Sequence, residues 1–333
     1  MPIVTFALPT GNSKSMKRQS HHSNTRRREC LYSITAEAPT TLIDLLLNIR
    51  PSLSRSRIKQ LLSRRCVTIG KEPIVQFNTP ISKGTIVEVY NIGFPMPFSH
   101  PLAKELWRDE YFILIEKRTG LPTIAKGGMQ GDTLFRLLAA HEKADNSRAK
   151  IFLLNRLDSA TCGLILFARD REIQQEVLSN WTRYIPKQVF EAVVEGIVEP
   201  EEGSIRWTKE QSERVSEAKY SVLSYGPWCT KLEIYLLGRY NALRTGLKGM
   251  GHAIVGDRHE KAVLAYSEGL ALYQKGMTFV HPIDGKKYDF IVQEPKQFDK
   301  LLQRRLTQKQ RTTIAIIEAE KEKLNQRLNS NEA

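Results

Sequence analysis

The tightest constraint in this chain is a polar turn held between two apolar runs of strand length. Ile151–Leu154 precede it and Leu164–Ala168 follow it, in the segment IFLLNRLDSATCGLILFARD. Both runs are uninterrupted by charge, the pattern of strands covered on both faces rather than of a half-exposed ribbon. The turn holds Arg156, Asp158, Ser159 and Thr161, and Gly163 opens the second strand. One guanidinium and one carboxylate are thereby fixed between rigid elements, which suits a nucleophile or a base better than a mobile surface loop does. Taken alone, the same residues also describe an ordinary turn whose aspartate bonds neighbouring backbone N–H groups.

Around this segment, residues 106–302 read as one domain. It opens on the buried strand YFILIEK and a turn at Thr119–Pro122. The patterning predicts helices at Thr133–His141 and Arg171–Tyr184. It predicts further strands at Val189–Glu195, Tyr220–Ser224, Lys231–Leu237 and Lys287–Val292. Regular alternation of strand and helix is missing, which disfavours a doubly wound parallel sheet and implies an α+β domain.

Residues 31–92 form a second, smaller αβ unit. Leu42, Leu45, Leu46 and Ile49 recur at helical spacing before Pro51. A second helix follows in LSRSRIKQLLSRR, with Ser54 as its predicted N-cap. Ile58, Leu61 and Leu62 share one face of it, and Arg57 and Arg64 share another. The strands CVTIG and TIVEVY close the unit. A helix with an apolar stripe and an arginine stripe can stay packed while lying on a phosphate backbone. Residues 93–105, with three prolines in GFPMPFSHPLA, read as a linker.

Charge and cysteine usage narrow the function classes. Fifty Lys or Arg against 36 Asp or Glu give a formal charge of +14, which points to a polyanion as partner, nucleic acid before an acidic membrane surface. No apolar run reaches the roughly 18 residues of a membrane-spanning helix. Cys30, Cys66, Cys162 and Cys229 lie far apart without a C-x-x-C pair, and the histidines lack metal-binding spacing, so neither a disulfide framework, a metal nor a cofactor is expected. The run GLKGMG lacks the order and the βαβ setting of a dinucleotide loop. Residues 1–30 read as a basic, disordered arm or, alternatively, an organellar transit peptide; without the latter the chain is expected to be cytoplasmic. Residues 303–333 read as a charged, helical tail.

Ordered blocks along the chain carry a resemblance. NRLDSATCGLILFARD resembles the signature of RluA-type pseudouridine synthases, in which an Arg-Leu-Asp triplet carries the catalytic aspartate. RDEYFILIEKRTGLP, KQVFEAVVEG, LEIYLLGRYNALRTGLKGMGHAIVGD and ALYQKGMTFVHPIDGKKYDF are similar, in order, to that family's further blocks. Leu42 to Tyr90 resembles the S-four-type RNA-binding module. The resemblance implies a mixed, mainly antiparallel sheet with a central cleft. It implies Asp158 as nucleophile, Arg156 holding the flipped nucleotide or its phosphate, Arg244 paired with Asp158, and Phe190 where the family usually has a tyrosine stacked on the uracil. RNA contact is implied for Arg55, Arg57, Lys59, Arg64, Arg65 and Arg239. The implied substrate is structured RNA, ribosomal RNA first, acted on by a monomer.

The chain departs from the family pattern at several positions. Phe190 lacks the tyrosine hydroxyl, Asn241 and Ala242 replace His-Gln, Arg118 replaces a proline and Tyr273 a histidine. A non-catalytic RNA- or ribosome-binding relative is therefore the alternative reading.

Overall fold

The computed structural model describes residues 4–6, 28–49, 54–70, 72–125, 127, 130–209, 212–236, 243–295, 297–308, 310–314 and 316. The chain divides into two units, Lys17–Pro97 and Phe98–Ala333, the latter together with Met1–Met16. Of the expected basic arm, only Val4–Phe6 (β1) and residues 28–30 lie within the described residues.

In the smaller unit, Cys30–Thr35 (β2) is followed by Thr40–Thr41 (β3), Leu42–Ile49 (α1) and Arg55–Ser63 (α2). Val67–Ile69 (β4), Glu72–Pro73 (β5), Pro80–Ile81 (β6) and Ile86–Tyr90 (β7) complete it. A four-stranded antiparallel sheet runs β2-β7-β4-β5. Leu42, Ile43 and Leu46 of α1 meet Ile58 and Leu62 of α2 in one apolar cluster. Ser54 caps α2, its hydroxyl accepting from Arg57 N.

The larger unit contains Ser99–His100 (β8), Ala103–Arg108 (β9), Phe112–Lys117 (β10) and Leu134–Asp145 (α3). Phe152–Leu153 (β11), Cys162–Ala168 (β12), Arg171–Ser179 (α4), Trp181–Tyr184 (α5) and Lys187–Glu195 (β13) follow. Then come Glu202–Lys209 (β14), Ser212–Tyr225 (β15), Cys229–Leu236 (β16) and Leu243–Gly249 (α6). Leu272–Val280 (β17), Lys287–Ile291 (β18) and Phe298–Leu302 (α7) close it. The sheet runs β14-β15-β16-β13-β17-β12-β10-β9-β8, with β18 beside β17 and β1 beside β18. Every pairing is antiparallel except β12 with β17. This is the mixed, mainly antiparallel α+β architecture expected.

Phe112, Ile113, Leu114 and Ile115 are all 0% exposed, so both faces of β10 are covered. That is why its sequence is continuously apolar rather than alternating. Thr133 and Asp170 cap α3 and α4 through their side-chain oxygens. Three details differ from the sequence reading. The helix expected over Arg171–Tyr184 breaks at Asn180, whose φ of −117° leaves the helical region and separates α4 from α5. The expected linker contains β8 and the start of β9, because Ser99 and His100 pair with Lys104 and Ala103 in a tight antiparallel turn. The β14–β15 hairpin is far longer than the single strand predicted there. Its charged sequence hides strands whose pairing, not apolar content, defines them. Among the described residues, no helix is long and apolar enough to cross a membrane.

Candidate active site

The polar turn ahead of β12 is pinned from two sides. Asn155 donates through Nδ2 to Leu164 O at 2.9 Å and accepts from Leu166 N at 2.8 Å, fastening the turn to its own following strand. Thr123 Oγ1 donates to Leu157 O at 2.6 Å and accepts from Leu157 N at 3.2 Å. Gly120 N donates to Ser159 O at 2.8 Å. Leu157 is buried, so the backbone on both sides of Asp158 is held while its side chain stays 34% exposed. Gly163 closes the turn at φ 134°, and a Cβ there would fall 2.6 Å from Gln274 Cβ and 2.8 Å from Gln274 N and O. Only glycine permits the close parallel approach of β12 to β17 at this point.

Arg244 comes to Asp158 from α6. Leu243 and Leu247 anchor that helix in the core, and Gly246 rests against Ile205 and Trp207 of β14. Arg244 Nη1 donates to Asp158 Oδ2 at 3.0 Å. Its other edge is occupied by a second carboxylate, which the sequence reading did not single out. Nε and Nη2 donate to Asp257 Oδ2 and Oδ1 at 2.7 and 2.5 Å. The Asp257 side chain is fully buried, and its Oδ1 also accepts from His259 N and Glu260 N at 3.1 Å each. Burial alone pushes the Asp257 carboxyl up, but the Arg244 bonds and the two N–H groups outweigh it and hold it below its ordinary value. One guanidinium thus spans a buried and a half-exposed carboxylate.

A second unforeseen cation lies behind the turn. Lys117, the last residue of β10, is 0% exposed. Its Nζ donates to Arg118 O at 3.1 Å and to Ser159 O at 3.5 Å. Burial pushes its ammonium down to about 8, with Cys162 and Asp158 pulling weakly the other way.

The remaining expected site residues are distributed as follows. Arg156 is exposed in the turn, with no ion pair among the described residues. Phe190 lies on β13, opposite Ile234 of β16 and Gln274 of β17, and Gln274 in turn faces Gly163. Its ring is 0% exposed. The aromatic platform expected to be open is therefore a core side chain in this conformation, because β13 is a central strand. Arg239 lies outside the described residues, as do Asn241 and Ala242. In the smaller unit Arg55, Arg57, Lys59 and Arg64 are exposed along and just beyond α2. Lys59 Nζ sits 4.7 Å from the centroid of the Phe77 ring. Arg65 turns at φ 59°, half-buried, with Nε lacking a hydrogen-bond partner. His252 Nδ1 lies 2.8 Å from Glu195 O, a bond that ties the turn after α6 to β13. Among the described residues no group of three or more His, Cys, Asp or Glu could hold a metal ion.

A carboxylate on a rigid turn, half-exposed and bonded to a clamped guanidinium, is equipped to attack an electron-poor carbon. Comparison with known proteins gives this chemistry its class. Residues 111–248 match the family model described as RNA pseudouridylate synthase. Ribosomal large subunit pseudouridine synthase D of Zymomonas mobilis is 24% identical over 287 residues, covering 75% of this chain and 88% of that protein. Dual-specificity RNA pseudouridine synthase RluA of Salmonella typhimurium is 24% identical over 216 residues, 59% of this chain and 95% of that one. Among solved structures, human RNA Pseudouridylate Synthase Domain Containing 1 aligns with a TM-score of 0.48 at 17% identity, over 67% of this chain and 98% of that one. The chain is thus similar to RluA-type RNA pseudouridine synthases over most of its length, and these matches support an isomerase.

Proposed function

We propose that this enzyme converts uridine to pseudouridine in structured ribosomal RNA, with Asp158 as the nucleophile. The observation that supports this most is the ion pair between Asp158 and Arg244, which joins a half-exposed carboxylate on the turn to a cation brought from α6. In the isomerisation the bond from the ribose C1′ to N1 breaks, and C1′ bonds to C5 of the same base. C5 gives up its proton and N1 gains one, so atoms balance without an external reactant. The Asp158 carboxylate can support this by adding to the sugar or to the base, with Arg244 hydrogen-bonded to it. The target nucleotide leaves its stack, at a cost of a few kcal/mol. In this reading Arg156, exposed two residues before Asp158, takes its phosphate. Phe190 supplies a stacking face only once entry of the base gives the ring surface, and with no hydroxyl there the C5 proton leaves to water or another group.

In this reading residues 31–92 form an S-four-type module in which Arg55, Arg57, Lys59, Arg64 and Arg65 contact the RNA backbone, with Arg239 as a further contact. One relative is a ribosomal large subunit pseudouridine synthase, and another is a dual-specificity RNA pseudouridine synthase. The first of these, together with the module, favours ribosomal RNA over other RNAs. The enzyme acts in the cytoplasm as a monomer. A pseudouridine map of cellular RNA, read by carbodiimide adducts and primer extension, tests the proposal in strains with wild type, Asp158→Ala or a deletion. The expected result is one ribosomal uridine that loses its signal in both altered strains. A map unchanged by the deletion, with no second synthase covering the site, contradicts it.

A further inference from the structure

Arg244 cannot be held for catalysis by Asp158 alone. A half-exposed carboxylate on a turn that must admit RNA is a poor anchor for a side chain with four rotatable bonds. The structure supplies a better anchor on the opposite edge of the guanidinium. Asp257 accepts two N–H bonds from Arg244, in the bidentate geometry that fixes the plane of the guanidinium as well as its position.

Asp257 is itself immobilised. Its Oδ1 accepts from His259 N and Glu260 N, its backbone N donates to Ile254 O at 2.9 Å, and its carbonyl accepts from Ala262 N at 2.9 Å. Gly256, at φ 86°, lets the chain turn just ahead of it, and Gly256 N donates to Leu264 O at 2.7 Å. Thr245 Oγ1, on the residue after Arg244, bonds Glu260 Oε1 at 3.1 Å and ties the same loop to α6. The loop is a cup around one carboxylate, and the carboxylate grips one arginine.

We infer that Asp257 is a positioning residue for the isomerisation: it clamps the Nε–Nη2 edge of Arg244 so that Nη1 is presented to Asp158. This rests on the reading of Asp158 as nucleophile. It goes beyond that reading by assigning a role to a fully buried side chain that touches no reacting atom. Asp257 also fixes how much positive charge Asp158 receives, because one guanidinium serves two carboxylates.

The test is Asp257→Asn in the full chain, which keeps the volume and removes the charge. Pseudouridine formation on the mapped RNA should show kcat lowered at least tenfold with KM within twofold. On an Arg244→Ala background the same change should cost nothing further, because Asp257 acts only through Arg244. In the free protein, the Nε–H resonance of Arg244 should exchange slowly with solvent in wild type and rapidly in Asp257→Asn. Wild-type kcat in Asp257→Asn, a full additional loss on the Arg244→Ala background, or an unchanged Arg244 resonance overturns the inference. If Asp257→Asn does not fold, Arg244→Lys stands in for it. It keeps the charge but cannot span both carboxylates, and a wild-type kcat there also overturns the inference. The resonance is read without substrate. A wild type that makes no pseudouridine while its Arg244 is held by Asp257 refutes the nucleophile reading and leaves the clamp standing.

Discussion

Of the clusters of carboxylates and cations in the larger unit, two have opposite fates. One is the Asp158–Arg244–Asp257 group. The other surrounds Glu191 on β13, where cross-strand register brings Glu233 and Tyr273 alongside it. Lys275 Nζ lies 2.6 Å from Glu191 and 2.7 Å from Glu233, and Lys231 lies 3.8 Å from Glu191. Tyr273 donates its hydroxyl to Glu191 at 2.9 Å, and Lys231 also pairs with Glu294. Burial, reinforced by Glu191, pushes the Tyr273 hydroxyl far above its ordinary value. The Glu191 side chain is 4% exposed, against 34% for Asp158. Both clusters pair carboxylates with clamped cations. What separates them is access: strands close over Glu191 on both sides, while Asp158 rides on a turn beyond the strand end. A perturbed, richly bonded ionisable group is therefore a weak mark of catalysis until its exposure is known.

The comparison can be broken most forcefully at Glu191. Glu191→Ala leaves Lys275 and Lys231 without their central partner, and the expected loss is about 3–5 kcal/mol of stability. Urea denaturation measures it. Pseudouridine formation per folded molecule should stay near wild type, and a loss of kcat comparable to that of an Asp158 variant would make the second cluster catalytic too. Lys117 gives the next largest effect. Its pKa lies near 8 in the folded protein against 10.5 ordinarily, so the folded state binds fewer protons between those values and stability rises with pH across that window. Below pH 8 the charged lysine costs up to about 3 kcal/mol. Relative to Lys117→Met, wild type should gain stability between pH 8 and 10.5. Denaturation curves that move in parallel over that window would remove the charge cost. The smallest effect belongs to the other unit. Arg57→Ala with Arg64→Ala should leave folding intact and flatten the salt dependence of RNA binding by about two in log–log slope. An unchanged slope would take α2 off the RNA.

The legibility of the chain follows the same division between local and distant causes. The turn at Asp158 could be read because its flanking strands are apolar at every position and its polar residues are contiguous. The two helices of the smaller unit could be read because Leu42, Leu46, Ile58 and Leu62 keep helical spacing over short stretches. Asp257 could not be read as a partner of Arg244, since it is set by a loop thirteen residues on whose folding back is a tertiary event. Lys117 ends a run read as a buried strand but was not singled out; its own burial comes from the position of β10 inside the sheet, between β9 and β12. Phe190 was legible as an aromatic on the right strand but not as a covered one, because β13 becomes central only through its pairing with both β16 and β17. Arg239 lies outside the described residues, and its expected RNA contact stands on the resemblance alone.

The most direct test of Asp158 as nucleophile uses RNA labelled with tritium at C5 of uridine, incubated with purified wild type and with Asp158→Asn while RNA affinity is measured in parallel. Forming pseudouridine displaces the C5 hydrogen, so tritium released to water counts turnovers. Wild type should release tritium. The variant should release it about 10³-fold more slowly or not at all, with RNA affinity within twofold. Tritium release by Asp158→Asn at a rate close to wild type would contradict the assignment.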